Sequence, residues 1–341
     1  MFAIIRTWLR ASTAFACIAL TGQAFADDDI EAIYAAAKKE GKVVVWSPND
    51  IAVERRVEAA FSKRFPGIQV EAFKIEPGPA VERAVAEASA GRNGVDIIVT
   101  NAPYLPILFD RGMVESYPWT KVFGVPPELL LFDNRAVIVA EYDQSVSFNT
   151  DLVKPAMITS WEAVLEPQWR GKVILEARSY PLAIMAQRWG DAKTIAYIKK
   201  LLENKPTIVK GSTVAAEALA GGQGAIAIGA QTSRIQRMKE EGAPVDWARI
   251  EPVGAVIVMI APIKNGPHPN AGRLWTWFWT QQEAQTVQYD VGRNGMLSGG
   301  IITARGKELH EKNIEILREP SDVTESNRLL NLVGDAISGR R

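Results

Sequence analysis

Two stretches of this chain alternate short apolar segments with amphipathic ones in the same order, and that alternation limits the folds open to it more than any other feature. Lys42 to Trp46 reads as a buried strand, started by the helix-stopping Gly41 after the Ala-rich helix Ile30 to Glu40. Ser47-Pro48-Asn49-Asp50 supplies a loop and N-cap for a helix in which Val53, Val57, Phe61 and Phe65 recur every four residues, ending at Pro66-Gly67. Ile68 to Ile75 is a second strand, Pro77-Gly78-Pro79 opens a helix over Ala80 to Ala90, and Val95 to Thr100 is a third strand. Strand, helix, strand, helix, strand is the pattern of a parallel sheet covered on both faces. The second block repeats it. Lys172 to Glu176, Thr207 to Val209 and Ala225 to Ile228 are the strands, separated by helices over Pro181 to Trp189, Thr194 to Asn204 and Thr213 to Ala220.

Two longer extended passages, Ala136 to Phe148 and Val253 to Ile260, link the blocks. The expectation is an α/β protein of two lobes, each a mainly parallel sheet flanked by helices, joined by two extended hinge strands around a cleft. The lobes are expected at 27–139 plus 254–295 and at 140–253 plus 296–341. A chain of 341 residues is long enough to split its core in this way.

Residues 1–26 stand apart from that pattern. Arg6 and Arg10 precede the apolar run Ala11 to Leu20, and Ala24-Phe25-Ala26 offers the small residues at which a secretory signal peptide is cut. The run is too short to span a bilayer, so a periplasmic, exported protein is expected. The single cysteine, Cys17, lies within this segment, which leaves no internal disulfide. With 39 basic and 39 acidic side chains there is no cationic excess to hold phosphate backbones, which argues against nucleic acid as a partner.

In an open parallel sheet, ligands gather beyond the carboxyl ends of the strands, where helix N-termini also point. That rule selects loops rich in hydroxyls, amides and glycines, and with them the candidate ligand-binding residues. They are Ser47, Asn49, Gly78, Asn101 and Tyr104 in the first block, and Arg178, Ser179, Tyr180, Ser212, Thr213, Gln231 and Thr232 in the second. Arg178 follows a buried strand and stands at the start of a helix, where its guanidinium can meet an anion that the helix dipole also favours. The competing reading has it bridging two loops through a carboxylate. Tyr104 and Tyr180 cover part of a ligand or lie on the lobe surface.

Other chemistry finds little support. Gly222-Gln223-Gly224 through Gly229 precedes a strand, whereas a dinucleotide loop follows one, so a helix end and turn is expected there. There is no phosphate loop of the Walker type, no zinc-protease motif and no nucleophile elbow. The two histidines outside the first segment, His268 in a turn and His310 in a helix over Gly306 to Leu317, read as surface residues. The dense Trp275, Trp277, Phe278 and Trp279 read as a core helix. No cofactor or resident metal is expected. A secreted hydrolase with a carboxylate pair is the competing reading from another class.

Several segments carry a family resemblance. Tyr34-x-x-Ala37-Lys38-Lys39-Glu40-Gly41-Lys42-Val43-Val44-Val45 and Phe61-x-x-x-Phe65-Pro66-Gly67-Ile68-x-Val70 are similar to the start of periplasmic substrate-binding proteins of ABC importers, in the ferric-iron-type branch. Trp161-x-x-Val164-Leu165-x-Pro167-x-Trp169-Arg170-Gly171-Lys172-Val173 and Ala261-Pro262-Ile263-Lys264-Asn265-Gly266-Pro267-His268-Pro269-Asn270-Ala271 resemble later signatures of the same group. The resemblance implies a type II two-lobe binding protein, a monomer that closes on a small solute and presents it to an ABC permease. Ferric-binding members carry adjacent tyrosines after the strand that is here Ala225 to Ile228, whereas this chain has Gly229-Ala230-Gln231-Thr232-Ser233. The expectation therefore leans to a small organic anion, with ferric or another metal ion as the alternative.

Overall fold

The computed structural model describes residues 19–49, 51–290 and 304–340. The first block runs α1 (Ala19–Glu40), β1 (Lys42–Ser47), α2 (Ile51–Arg64), β2 (Gln69–Lys74), α3 (Pro77–Ser89) and β3 (Ile97–Thr100). A 3-10 turn at Ala102–Tyr104 leads into α4 (Leu105–Asp110) and α5 (Trp119–Phe123), and β4 (Leu130–Leu131) precedes the long β5 (Ala136–Asn149). The second block runs β6 (Val173–Glu176), α6 (Tyr180–Trp189), α7 (Asp191–Glu203), β7 (Thr207–Val209), α8 (Ser212–Ala220), β8 (Ile226–Gln231), α9 (Thr232–Glu240) and β9 (Val245–Trp247). The chain then returns through β10 (Val253–Pro262), α10 (Pro269–Trp279) and α11 (Gln282–Asp290), and finishes with α12 (Ala304–Glu311), β11 (Ile316–Arg318) and α13 (Val323–Ile337).

The strand order is β2-β1-β3-β10-β5-β8-β6-β7. β1 pairs in parallel with β2 and β3, and β6 does so with β7 and β8. Between these two parallel groups β5 and β10 lie antiparallel, with Gly254 opposite Gln144 and Ile260 opposite Val137. Every residue of β10 is buried, the continuous apolar run of a strand covered on both faces. One hydrophobic core gathers residues from 37–140 with 257–284 around Phe61 and Trp275, whose rings meet edge-on at 5.0 Å. The other cores draw on 146–255 with the C-terminal segment, including Leu329, Leu332 and Val333 of α13.

Most elements lie where periodicity places them, within a few residues. The aromatic cluster is core as expected: Trp275, Trp277, Phe278 and Trp279 are all buried on α10. Gly222 sits in the turn that ends α8, with φ +70°. Two expectations change. The helix expected over Gly306 to Leu317 stops at Glu311, because Asn313 turns into the left-handed region at φ +52° and the following residues become β11, which pairs with Val253 to Ala255 of β10. His268 is not a surface residue: its side chain is 14% exposed and its Nδ1 lies 2.9 Å from Oδ2 of the buried Asp96. The export-signal expectation falls largely outside the described residues, and α1 as described begins at Ala19 and runs through Ala26. Among the described residues no helix is long and apolar enough to cross a membrane.

Candidate functional site

The carboxyl ends of the two parallel strand groups face one cleft of about 580 Å³. Seven of the sequence candidates line it: Asn101 and Tyr104 from the β3 end, and Arg178, Tyr180, Ser212, Thr213 and Gln231 from the opposite wall. Ser47, Asn49, Gly78, Ser179 and Thr232 are not among the lining residues; they lie behind those that are. Ser47 Oγ accepts the Asn49 N–H at 3.1 Å, and the Asn49 amide donates to the buried Glu54 at 2.9 Å, fixing the turn into α2. Gly78 carries the Tyr104 ring, since a Cβ there would lie 3.3 Å from its Cε1. Asn101 spends its amide N–H on the Ile257 carbonyl, 2.9 Å away, and so anchors the Tyr104 turn to β10.

A buried carboxylate organises the opposite wall. Glu176, the last residue of β6, accepts backbone N–H groups from Arg178 at 3.0 Å and Ser179 at 2.8 Å on Oε2, and from Gly211 at 3.1 Å on Oε1. One side chain thereby ties the loop after β6 to the loop after β7 and places its charge near the N-termini of α6 and α8, where the helix dipoles favour it. The neighbouring strand must leave room. Gly229 on β8 has φ +97°, and a Cβ there would come within 2.6 Å of Glu176 Cβ, so this position needs glycine. Ser179 is held at φ +35°, an uncommon conformation for a residue with a side chain: its N–H donates to Glu176 and its C=O accepts from Leu182 and Ala183.

Arg178 stands beside a carboxylate and still opens onto the cleft. Its Nε lies 3.6 Å from Glu176 Oε1, yet 68% of its side chain is exposed and it lines the cleft. Its guanidinium also sits 5.7 Å over the Tyr180 ring. Burial raises the pKa of the Tyr180 phenol, and the Arg178 charge opposes that rise.

Several lining residues escaped the sequence reading: Glu76, Tyr142, Gln144, Arg234, Glu319 and Asn327. Tyr142 and Gln144 had a signal. They lie two apart in a strand, so they share one face, and they are the two positions of β5 that are not fully buried. Gln144 Oε1 is a buried acceptor with no hydrogen-bond partner among the described residues, as are the hydroxyls of Ser179 and Thr232. Glu319 had no local signal. It follows β11, accepts the Ile257 N–H at 2.9 Å, and burial pushes its pKa up to about 7. Among the described residues no three His, Cys, Asp or Glu side chains come together as a metal site.

A cleft walled by two α/β halves, with strand ends and helix N-termini turned inward, is the place where open α/β folds hold a small molecule. The chain belongs to the bacterial extracellular solute-binding proteins, whose family model matches residues 57–294. It is 30% identical over 129 residues to iron uptake protein A2 of Synechocystis, a match that spans 36% of this chain and 37% of that protein's length. Its fold is that of type II periplasmic binding proteins. The iron- and citrate-bound IdiA/FutA structure from Trichodesmium aligns with a TM-score of 0.69 at 16% identity, covering 88% of this chain and 99% of that one. AfuA of Actinobacillus pleuropneumoniae, with fructose-6-phosphate bound, aligns with a TM-score of 0.64 at 17% identity, covering 87% and 99%. The family and fold implied by the sequence resemblance are thus those the chain has.

Proposed function

We propose that this protein is the periplasmic receptor of an ABC importer, and that it captures ferric iron together with a small oxygen-rich anion and delivers the complex to a permease. The observation that carries the reading is the meeting of three phenols, Tyr104, Tyr142 and Tyr180, with two guanidinium groups, Arg178 and Arg234, in one cleft. Phenol oxygens suit a hard trivalent cation, which lowers their pKa on binding, and guanidinium groups suit the anion that completes its coordination. The absence of tyrosine at Gly229 to Ser233 loses its weight against iron, because these phenols arrive from a 3-10 turn, a hinge strand and a helix start instead. The Synechocystis relative is an iron uptake protein and the Trichodesmium one holds iron and citrate, which supports the same reading. The lobes would be the two groups of residues given above, turning about β5 and β10, with closure shielding the polar contacts from water.

Adding ferric citrate to the purified protein should produce a visible phenolate-to-iron absorption band, and replacing the three tyrosines by phenylalanine one at a time should weaken or remove it. Ferric citrate binding without any such band would dismiss iron coordination by these residues. The second reading is an organic anion bound without metal. It is favoured by the lack of a His, Cys, Asp or Glu cluster among the described residues, and it predicts calorimetric binding of the free anion with no gain from iron. Under either reading Arg178→Ala should weaken anion binding by about 1.5 to 3 kcal/mol, the worth of a hydrogen bond to a charged group. Unchanged affinity in isothermal titration would remove Arg178 from the contact set.

A further inference from the structure

The strands that join the two halves present different contacts on their two faces. Tyr142 and Gln144 of β5 and Val256 of β10 line the cleft. Side chains alternate along a strand, so Glu141 and Ala255, with Ile257 opposite Glu141, turn to the face behind it. β11 continues the alternation: Glu319 lines the cleft, and Arg318, opposite Ala255, points to the rear. There the Arg318 guanidinium donates through Nε to the fully buried Glu141, and through Nη1 to the Glu128 carbonyl at 3.1 Å. Glu128 belongs to a 3-10 turn, Pro127–Leu129, whose Leu129 is buried in the core around Phe61 and Trp275. The Arg318 backbone belongs to the other half. Its carbonyl accepts the Gln187 amide of α6 at 2.9 Å, and β11 lies between Ile314 and Leu329, both in the other cores. One side chain thus spans the two halves across the rear of the connecting strands.

The same strands show where they bend. The β5–β10 ladder shifts register between Val258 and Met259. On its other edge β10 pairs with β11 as far as Ala255 and with β3 from Met259, and between those ladders the Ile257 N–H goes to the Glu319 side chain and its carbonyl to the Asn101 side chain. Arg318 and Glu141 lie on one side of this break and Glu128 on the other.

We infer that Arg318 is a latch behind the hinge, which holds the cleft open and thereby sets the affinity for solute. This rests on the hinge of the proposed receptor. A turn that brings the cleft walls together compresses the cleft face of β5 and β10 and stretches the rear face. Glu141 aims the guanidinium, and the bond to the Glu128 carbonyl is the one that closure lengthens. Solute binding must then offset the loss of that bond, and the apparent affinity falls with the fraction of molecules that stand closed. Arg318 is not among the residues lining the cleft, so it is a positioning residue that acts on solute only through the hinge.

Removing Arg318 alone would leave Glu141 buried without its cation, so the test uses the charge-neutral pair Glu141→Gln with Arg318→Met, and Arg318→Lys beside it. Spin labels at Lys63→Cys on α2 and Lys199→Cys on α7, both exposed and one on each half, report the distance between the halves by pulsed EPR without any ligand. Calorimetry with ferric citrate as the probe reports affinity. The double variant should gain a shorter-distance population and bind ferric citrate roughly two- to tenfold more tightly, the worth of one hydrogen bond net of water. Arg318→Lys, which keeps the charge but cannot serve both partners at once, should fall between it and the wild type. A distance distribution that coincides with the wild type overturns the latch, and a variant that loses stability while keeping both distances and affinity shows only a structural ion pair. If the double variant does not fold, the same two readings on Arg318→Lys decide. A wild type that binds no ferric citrate overturns the proposed ligand, while the ligand-free distances still judge the latch.

Discussion

Replacing Glu319 by glutamine is expected to leave stability unchanged near pH 4 and to raise it by about 3 kcal/mol at pH 8. The side chain is buried between the hinge strand β10 and the start of α6, its pKa is pushed up to about 7 by that burial, and among the described residues one N–H, from Ile257, donates to it. An ordinary glutamate titrates near 4.5. Below that value folded and unfolded chains both carry the proton and nothing is lost. As pH rises, the unfolded chain ionises first while the folded one must keep its proton or bury a charge, so stability falls until about pH 7 and is level above it. Glutamine keeps the acceptor for Ile257 and never ionises. Denaturant unfolding at the two pH values measures the difference. Equal wild-type and variant midpoints at pH 8 would mean that the folded chain solvates this carboxylate.

Asp96→Ala is expected to destabilise the protein by about 4 kcal/mol, among the larger costs of a single substitution. Asp96 is buried and accepts the Val44 N–H at 2.7 Å, the His268 N–H at 2.6 Å and a contact from His268 Nδ1 at 2.9 Å. It therefore holds β1, the entry to β3 and the turn that starts α10 in one arrangement. Alanine strands two buried backbone donors, each costing about 1 to 3 kcal/mol, and leaves the His268 ring without its partner. The packing around it allows little repair, since a Cβ on Gly266 would already lie 2.9 Å from Asp96 Oδ1. A midpoint shift below about 1 kcal/mol would show that water reaches these donors. Asp96 and Glu319 differ in their surroundings: Asp96 accepts two backbone N–H groups and meets a histidine ring, whereas Glu319 accepts the Ile257 N–H.

Much of the architecture was legible from local pattern. The four-residue spacing of Val53, Val57, Phe61 and Phe65, the apolar runs at Val43 to Trp46 and Ile97 to Val99, and the glycines and prolines between them specify helix and strand through contacts within a few residues of each other. The rule that ligands collect at strand carboxyl ends selects seven residues of the cleft wall from sequence. It also chose Ser47, Asn49 and Gly78, which lie at the right strand ends but turn inward to brace the loops, because end position alone does not set side-chain direction.

What the chain's order of residues determined by itself was the fold class, the two parallel groups of strands and the loops that border the cleft, all properties of neighbours along the backbone. Only the tertiary structure decided which side chains meet there. Tyr104, Tyr142 and Tyr180 come from three separate elements, Glu176 reaches across to a loop after another strand, and Arg234 and Glu76 line the same cleft from distant parts of the chain. Such encounters depend on strand order and on the packing of β5 against β10, interactions between residues far apart in sequence whose geometry no local periodicity records.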